Sequence, residues 1–473
     1  MPDAPGRRSW RGLALLVAGA FFMENLDGTI IATAAPRMAK SFGVQPVDLN
    51  VVITAYLLTL AVFIPVSGWI ADRVGARKVF GGAIALFTVA SLLCALSTSL
   101  GELTAVRVLQ GVGGAMMVPV GRLVVLRSTE RSELIDAIAY LTWPALAAPV
   151  IAPALGGVLT TYASWRWIFV INLPLGVVAF AIALRIVPDV REGGHSTFDW
   201  RGFVLTGVGL AALVYGLELA TANRVQWGSV GVSLGVALAS LSLAVRHLRR
   251  AIYPLMRLGA VRIPTFRVMA VGGSFFRLAI GAVPFLLPLM FQVAFGWTSV
   301  KSGLLVVAVF VGNIGIKPLT GPLLRRFGFR TVLIGAGIAA GLTVLACGLL
   351  TARTPIPLIV LVLFASGVFR SIGFTAYNTI AFADVAADEM GNANTLSTTI
   401  QQLTMGLGIA AGALALRAGG PIARLFGASG TGGSPFAVAF LLLSLLAFAA
   451  VLDSTLLNRD AGAAVIALNS EAE

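Results

Sequence analysis

The sequence predicts an all-α membrane protein of two pseudo-symmetric six-helix bundles with two helices inserted between them, a 6+2+6 arrangement of transmembrane helices. Two observations carry this. The first is composition: 58% hydrophobic and 11% charged residues over 473 positions cannot be arranged as a soluble core under a polar skin. The second is a phrase stated twice, Gly68-Trp69-Ile70-Ala71-Asp72-Arg73-Val74-Gly75-Ala76-Arg77 and Gly321-Pro322-Leu323-Leu324-Arg325-Arg326-Phe327-Gly328-Phe329-Arg330. The glycines, the second-turn arginine and the final arginine coincide. Each copy lies between two long apolar runs, so each reads as a basic turn joining two membrane helices at one place in a repeated unit. Membrane proteins made of two related halves generally move a solute through the interface between them.

Fourteen apolar runs follow in order: 12–34, 50–71, 79–97, 101–126, 134–160, 166–187, 202–222, 229–247, 268–294, 303–322, 330–350, 357–377, 392–416 and 436–454. A spanning helix needs about 20 residues, whereas a barrel strand needs only about 10 with alternating pattern. The first run follows Arg7, Arg8 and Arg11 and ends on Ala32-Thr33-Ala34, the layout of a cleavable signal. Glu24 and Asp27 inside it argue for a retained helix instead. The repeated phrase matches the second run to the tenth, so the halves are runs 1 to 6 and 9 to 14. Runs 7 and 8 are the insertion. Domain boundaries are therefore expected at 1–190, 191–250 and 251–457, with the segment around Pro188 to Asp199 as a linker and 458–473 as a disordered cytoplasmic tail.

Most of the 34 Lys and Arg fall in loops on the same side as the N-terminus. By the positive-inside rule this predicts a multi-pass protein of a bacterial cytoplasmic (inner) membrane with both termini cytoplasmic. The formal charge of +14 is then a topology signal, and its dispersal among short loops excludes a nucleic-acid partner. Cys94 and Cys347 read as small core residues in apolar spans, with neither a disulfide framework nor a metal site. His195 and His247 have no partner suggesting catalytic chemistry. With no nucleotide loop, metal cluster or nucleophile-base arrangement, the chain is not expected to be an enzyme or to carry a cofactor. The expected partners are the bilayer, a small-molecule solute and protons, with the protein a monomer.

The charged residues inside spans carry the functional argument. Glu24 and Asp27, three apart, share a helix face near mid-bilayer. A charged carboxylate there is costly and two close ones resist ionising together, which makes a site able to take and give one proton. The alternative is a pair held permanently by salt bridges or pore water. Arg107 in the fourth run lies at the same depth as Asp27, about 10 Å from the outer end at 1.5 Å per residue, so the two can meet. Arginine keeps its own proton and would tune the carboxylate; alternatively it braces its helix through backbone carbonyls. In the second half, Arg277 and Lys317 lie inside apolar spans, and Asn313 precedes Lys317 by four residues, on one face. These three are expected to line the substrate cavity, or to serve as internal ion-pair partners. Phe275, Phe276, Phe285, Met290 and Phe291 could add apolar contacts. Glu218 is the acidic residue of the insertion's spans and receives no role.

Four ordered motifs carry a resemblance: Leu26-Asp27-Gly28-Thr29-Ile30-Ile31-Ala32-Thr33-Ala34-Ala35-Pro36; Gly68 to Lys78; Arg107-Val108-Leu109-Gln110-Gly111-Val112-Gly113-Gly114-Ala115; and Pro153-Ala154-Leu155-Gly156-Gly157 followed by Trp165-Arg166-Trp167 and Asn172-Leu173-Pro174. Over essentially its whole length the chain resembles the major facilitator superfamily, in the fourteen-helix drug:proton antiporter branch, the EmrB/QacA group. Met23 to Pro36 and Ile64 to Arg77 are similar to MdtD-like inner-membrane exporters. The resemblance implies a role in proton coupling for Asp27, and for Arg107 in proton transfer. The Gly68 to Lys78 loop reads as a gate latch, with Gly68 for close helix approach, Gly75 for a tight turn and Asp72 to cap a helix or meet arginines of the opposite half, while Arg73 and Arg77 also hold orientation. Asp72 becomes Arg325 in the second copy, so the latch is asymmetric. In the fifth run the family's Gly-Pro is Ala152-Pro153 here; Pro153 bends the helix, and Gly156 and Gly157 allow tight packing.

The leading expectation is a proton-coupled exporter of small amphipathic compounds working by alternating access, energised by the proton gradient. The alternative is an exporter of a specific organic anion or metal-carboxylate chelate, favoured by Arg277 and Lys317. A lipid flippase ranks below both.

Overall fold

Apolar runs of this length leave the backbone no hydrogen-bonding partner but itself, so helices are the expected outcome, and the computed structural model contains no strand among its described residues. These are residues 10–44, 46–130, 133–188, 197–221, 225–425, 434–462 and 465. Most of the expected linker, at 189–196, and most of the expected tail lie outside them. The helices are α1 Trp10–Phe42, α2 Asn50–Phe63, α3 Ser67–Val74, α4 Ala76–Leu96, α5 Leu100–Ser128, α6 Leu134–Tyr162, α7 Trp167–Val170, α8 Asn172–Ile186, α9 Trp200–Thr221, α10 Trp227–Leu248, α11 Pro264–Ala270, α12 Gly272–Leu289, α13 Ser299–Gly315, α14 Lys317–Leu349, α15 Ile356–Ala383, α16 Met390–Leu425 and α17 Ser434–Thr455.

Every expected run falls on helix, but among the described residues twelve segments, not fourteen, are long and apolar enough to cross a membrane. The apolar pattern predicts the tenth run as one span over 303–322. Its backbone instead breaks at Ile316, ahead of Pro318, which cannot donate to a continuing helix; α13 stops after 17 residues and counts only as a shorter apolar helix. The 29-residue α6, which contains side chains outside the described set, is not among the twelve. The repeated phrase forms the same turn twice. Gly75 and Gly328 take φ of 100° and 73°, a left-handed setting that a side chain resists, and each starts a new helical direction, α4 in the first copy and the second part of α14 in the second.

The chain divides into two units. The first comprises 1–211, 237–258 and 387–398; within it α1 runs along α6, α4 along α5, α2 against α5 and α4 against α8. Its apolar centre joins Leu26, Ile30 and Met38 to Phe169. Asp199 ties the insertion down: it accepts from Gly202 N at 2.8 Å and Leu255 N at 3.1 Å, and pairs with His247 Nε2 at 2.8 Å. The second unit comprises 212–236, 259–386 and 399–473; α14 packs on α17 and α15, α13 on α15, and α12 on α17, around Leu286, Phe291, Leu305 and Phe440. After Pro284 and Pro288 the end of α12 relaxes into a π turn over Met290–Ala294, as freed carbonyls permit. Large apolar side chains such as Val177, Leu238 and Leu452 stand exposed, as lipid-facing positions require.

Candidate functional site

In the first unit the middle of α1 presents Asp27, 1% exposed, to a polar network contributed by four other helices. Its Oδ2 accepts from Arg107 Nη1 on α5. Its Oδ1 accepts from Gln110 Nε2 at 3.0 Å and from Asn172 Nδ2, at the start of α8, at 2.9 Å. Gln110 Oε1 accepts from Arg107 Nη1 at 2.7 Å, Gln110 Nε2 also donates to Ser91 Oγ on α4 at 2.8 Å, and the Tyr56 ring on α2 covers the guanidinium at 4.1 Å. Small residues make this crowding possible: a Cβ on Gly113 of α5 would stand 2.9 Å from the Phe87 backbone nitrogen of α4. A buried ion pair persists when further hydrogen bonds satisfy its spare atoms. Two amides do that for Asp27. The bonds described for Arg107 go to side chains, not to carbonyls of its own helix.

Glu24 lies one turn earlier on α1 and stands outside this network. Its Oε2 is buried without a hydrogen-bond partner, as is the Tyr56 hydroxyl. Both reach the same spot over α5: a Cβ on Gly114 would be 3.7 Å from Glu24 Cδ and 3.1 Å from Tyr56 Oη. Of the two carboxylates expected to act together, Asp27 is clamped and Glu24 has an oxygen to spare.

The latch residues gather at the other end of α5. Asp72 on α3 accepts from Arg127 Nη2 at 3.3 Å, so its described partner belongs to its own half, not the opposite one. The start of α16 completes the cluster within this unit: a Cβ on Gly68 would stand 2.3 Å from Thr395 Oγ1, and one on Gly391 would stand 2.8 Å from Arg127 Nη2. Arg73 lies 5.5 Å from the Trp69 ring, and Arg77 Nε donates to the Val187 carbonyl at 2.5 Å. On α6, a Cβ on Gly156 would be 2.1 Å from Thr33 Oγ1 of α1. Gly157, expected to pack the same way, has no described heavy atom within 4 Å of that point. Pro153 is on α6, with its side chain outside the described residues.

In the second unit Arg277 on α12 donates from Nη2 to Asn378 Oδ1 at 2.8 Å and lies 5.5 Å from the Phe374 ring. Lys317 Nζ donates to Thr375 Oγ1 at 2.6 Å. Asn313 closes α13 and Lys317 opens α14, on either side of the turn at Ile316. Phe276, Met290 and Phe291 are core residues, while Phe275 and Phe285 point outward, 37% and 38% exposed.

Sequence reasoning missed Tyr56, Ser91, Gln110, Asn172 and Arg127 as site members. Gln110 and Asn172 stand inside the quoted motifs, and their amides in apolar spans were the available signal. Arg127 closes α5 and reads equally well as a topology marker.

Two related halves of membrane helices, one enclosing a charged network at depth, define a secondary transporter fold. The chain belongs to the Major Facilitator Superfamily, whose family model matches residues 17–409 and 269–465. It is accordingly a membrane transporter and not an enzyme. It is 37% identical over 410 residues to the "Putative multidrug resistance protein MdtD" of Salmonella paratyphi A (strain ATCC 9150 / SARB42), covering 86% of each chain. The protein of the same name from Cronobacter sakazakii (strain ATCC BAA-894) is 38% identical over 421 residues, covering 89% of this chain and 88% of that one. Among solved structures, the crystal structure of the human organic anion transporter MFSD10 (TETRAN) aligns with a TM-score of 0.61 at 15% identity, over 94% of this chain and all of that one. At that identity the likeness concerns the fold.

Proposed function

We propose that the protein is a proton-coupled exporter of small amphipathic compounds, working by alternating access in a bacterial inner membrane with both termini cytoplasmic. The observation that carries this reading is the pairing of a satisfied carboxylate, Asp27 against Arg107, with an unsatisfied one, Glu24, a turn away. Glu24 and Asp27 are then the groups that load and release the proton, and Arg107 holds Asp27 until the bundle rearranges. The cluster of Gly68, Asp72, Arg73, Gly75, Arg77 and Arg127, with Pro153, Gly156 and Gly157 of α6, forms the gating elements. Arg277, Lys317 and Asn313 supply the cargo side. No bound cofactor is needed, since a proton entering across about 100 mV releases about 2.3 kcal/mol from the electrical term alone. The names of the MdtD relatives support the drug-export reading. The test is substrate-triggered proton release from proteoliposomes holding purified wild type, Asp27→Asn or Glu24→Gln. Proton release that both variants abolish supports the reading; solute transport without proton movement, indifferent to both changes, refutes it.

A further inference from the structure

We propose that the second unit carries a binding site for the acidic group of an amphipathic substrate, formed by Lys317, Arg277 and Arg370 along one face of α15. This rests on the exporter reading and names the chemistry of its cargo. From 219 to 383 the sequence contains no Asp or Glu, and neither does 390–452. The spans of this unit therefore take net positive charge into their interior, whereas in the first unit Glu24 and Asp27 accompany the buried Arg107 and Arg122. The cations converge on α15. Arg370, Phe374 and Asn378 recur every four residues, and Ser371 and Thr375 lie on the adjoining strip, so all five occupy one face. Lys317 reaches Thr375, Arg277 reaches Asn378 and Phe374, and Arg370 Nη1 donates to the Ile280 carbonyl of α12 at 3.3 Å. Lys317 and Arg277 are held at Thr375 and Asn378, within about one helical turn, and Arg370 lies a further turn or so along the same face, so an oxyanion placed among them can meet more than one donor.

A second observation points to a ligand. Asn313 and Ser371 are 2% and 0% exposed, yet Asn313 Oδ1 and Ser371 Oγ have no hydrogen-bond partner. They belong to the same seam, because α13 approaches α15 so closely that a Cβ on Gly367 would stand 2.9 Å from the Asn313 backbone nitrogen, and Ser371 follows Gly367 by one turn. A buried polar atom left without a partner is destabilising unless a ligand meets it. Ser371 can donate to an oxyanion that Lys317 neutralises, Asn313 can accept from a neighbouring hydroxyl or amide N–H of the same molecule, and the half-buried Phe374 offers an apolar face beside them. The matching ligand is a carboxylate or similar oxyanion with an adjacent donor and an apolar body.

The probe is N-naphthoylglycine, with its methyl ester and naphthylmethylammonium as controls, and equilibrium binding is measured in maltoside micelles. Wild type binds the acid about 10- to 100-fold more tightly than the ester, the ratio expected of hydrogen bonds to a charged group. Lys317→Gln and Arg370→Gln each lower that ratio while ester affinity persists. Equal binding of acid and ester by wild type overturns the inference without any variant, as does a preference unchanged in both variants. If added phosphatidylglycerol displaces the acid while vesicles show no acid transport, the occupant is a lipid headgroup and the inference also fails. Proton release in proteoliposomes separates this from the exporter reading. Ester-driven release with no acid preference leaves that reading standing alone; acid preference with no proton movement leaves only the site.

Discussion

The buried pair of Asp27 and Arg107 makes a quantitative prediction. Both side chains are about 1% exposed, and Arg107 is further held by Gln110 at 2.7 Å and by the Tyr56 ring. Asp27→Asn leaves the guanidinium buried without its counter-charge, and Arg107→Gln does the same to the carboxylate. Each single change should cost about 3–5 kcal/mol of stability, the usual result of removing one member of a buried pair. The double variant removes both charges, and the amides of Gln110 and Asn172 can still bond neutral side chains, so its loss should be smaller than the sum by at least about 2 kcal/mol. Reversible unfolding in mixed micelles, arranged as a double-mutant cycle, measures this coupling. Additivity within about 0.5 kcal/mol, the behaviour of independent sites, would show that the two residues do not share an ion pair and would remove the clamp on Asp27 from the mechanism.

Three further outcomes follow from particular contacts. Gly68→Ala places a methyl 2.3 Å from Thr395 Oγ1 but 3.5 Å from Thr395 Cβ, so it should lower the unfolding temperature of the purified protein and Thr395→Ala should restore it; failure of the rescue would refute the close approach. Asp72→Asn and Arg127→Gln should each reduce transport with little loss of protein in the membrane, and wild-type transport by both would dismiss the latch. Gly328→Ala, at φ 73°, should cost about 1–2 kcal/mol of stability while the neighbouring Gly335→Ala, inside regular helix, should not destabilise; equal effects in unfolding titrations would show that the turn carries no conformational demand.

What could be read from the residues alone depended on how expensive each is to bury. Asp27, Glu24 and Arg107 declare themselves because charge at bilayer depth is tolerated only with partners or function, and equal depth was enough to suggest that Asp27 and Arg107 meet. The turn glycines were legible because the phrase occurs twice. The neutral members were not: hydroxyl side chains in membrane helices commonly bond their own backbone, as Thr29 does to Asn25 and Ser91 itself does to Phe87, so nothing in the sequence marks Ser91 as also accepting from Gln110. The Ile316 break escaped because Pro318 alone does not say whether a helix bends or ends. The contact of Asp72 with Arg127 was not legible because charge pattern gives the side of the membrane on which a residue lies but not its neighbour, which left a helix cap and an arginine of the opposite half as equal readings.

The fastening of the inserted hairpin has a consequence for synthesis. Asp199 and His247 are joined across α9 and α10, with Ser240 also donating to the Leu205 carbonyl, so the hairpin is held by contacts between residues made close together in time. Loop closure over so short a separation carries a small entropic penalty compared with long-range assembly. The two helices can therefore close on each other while the ribosome is still translating the segments that follow.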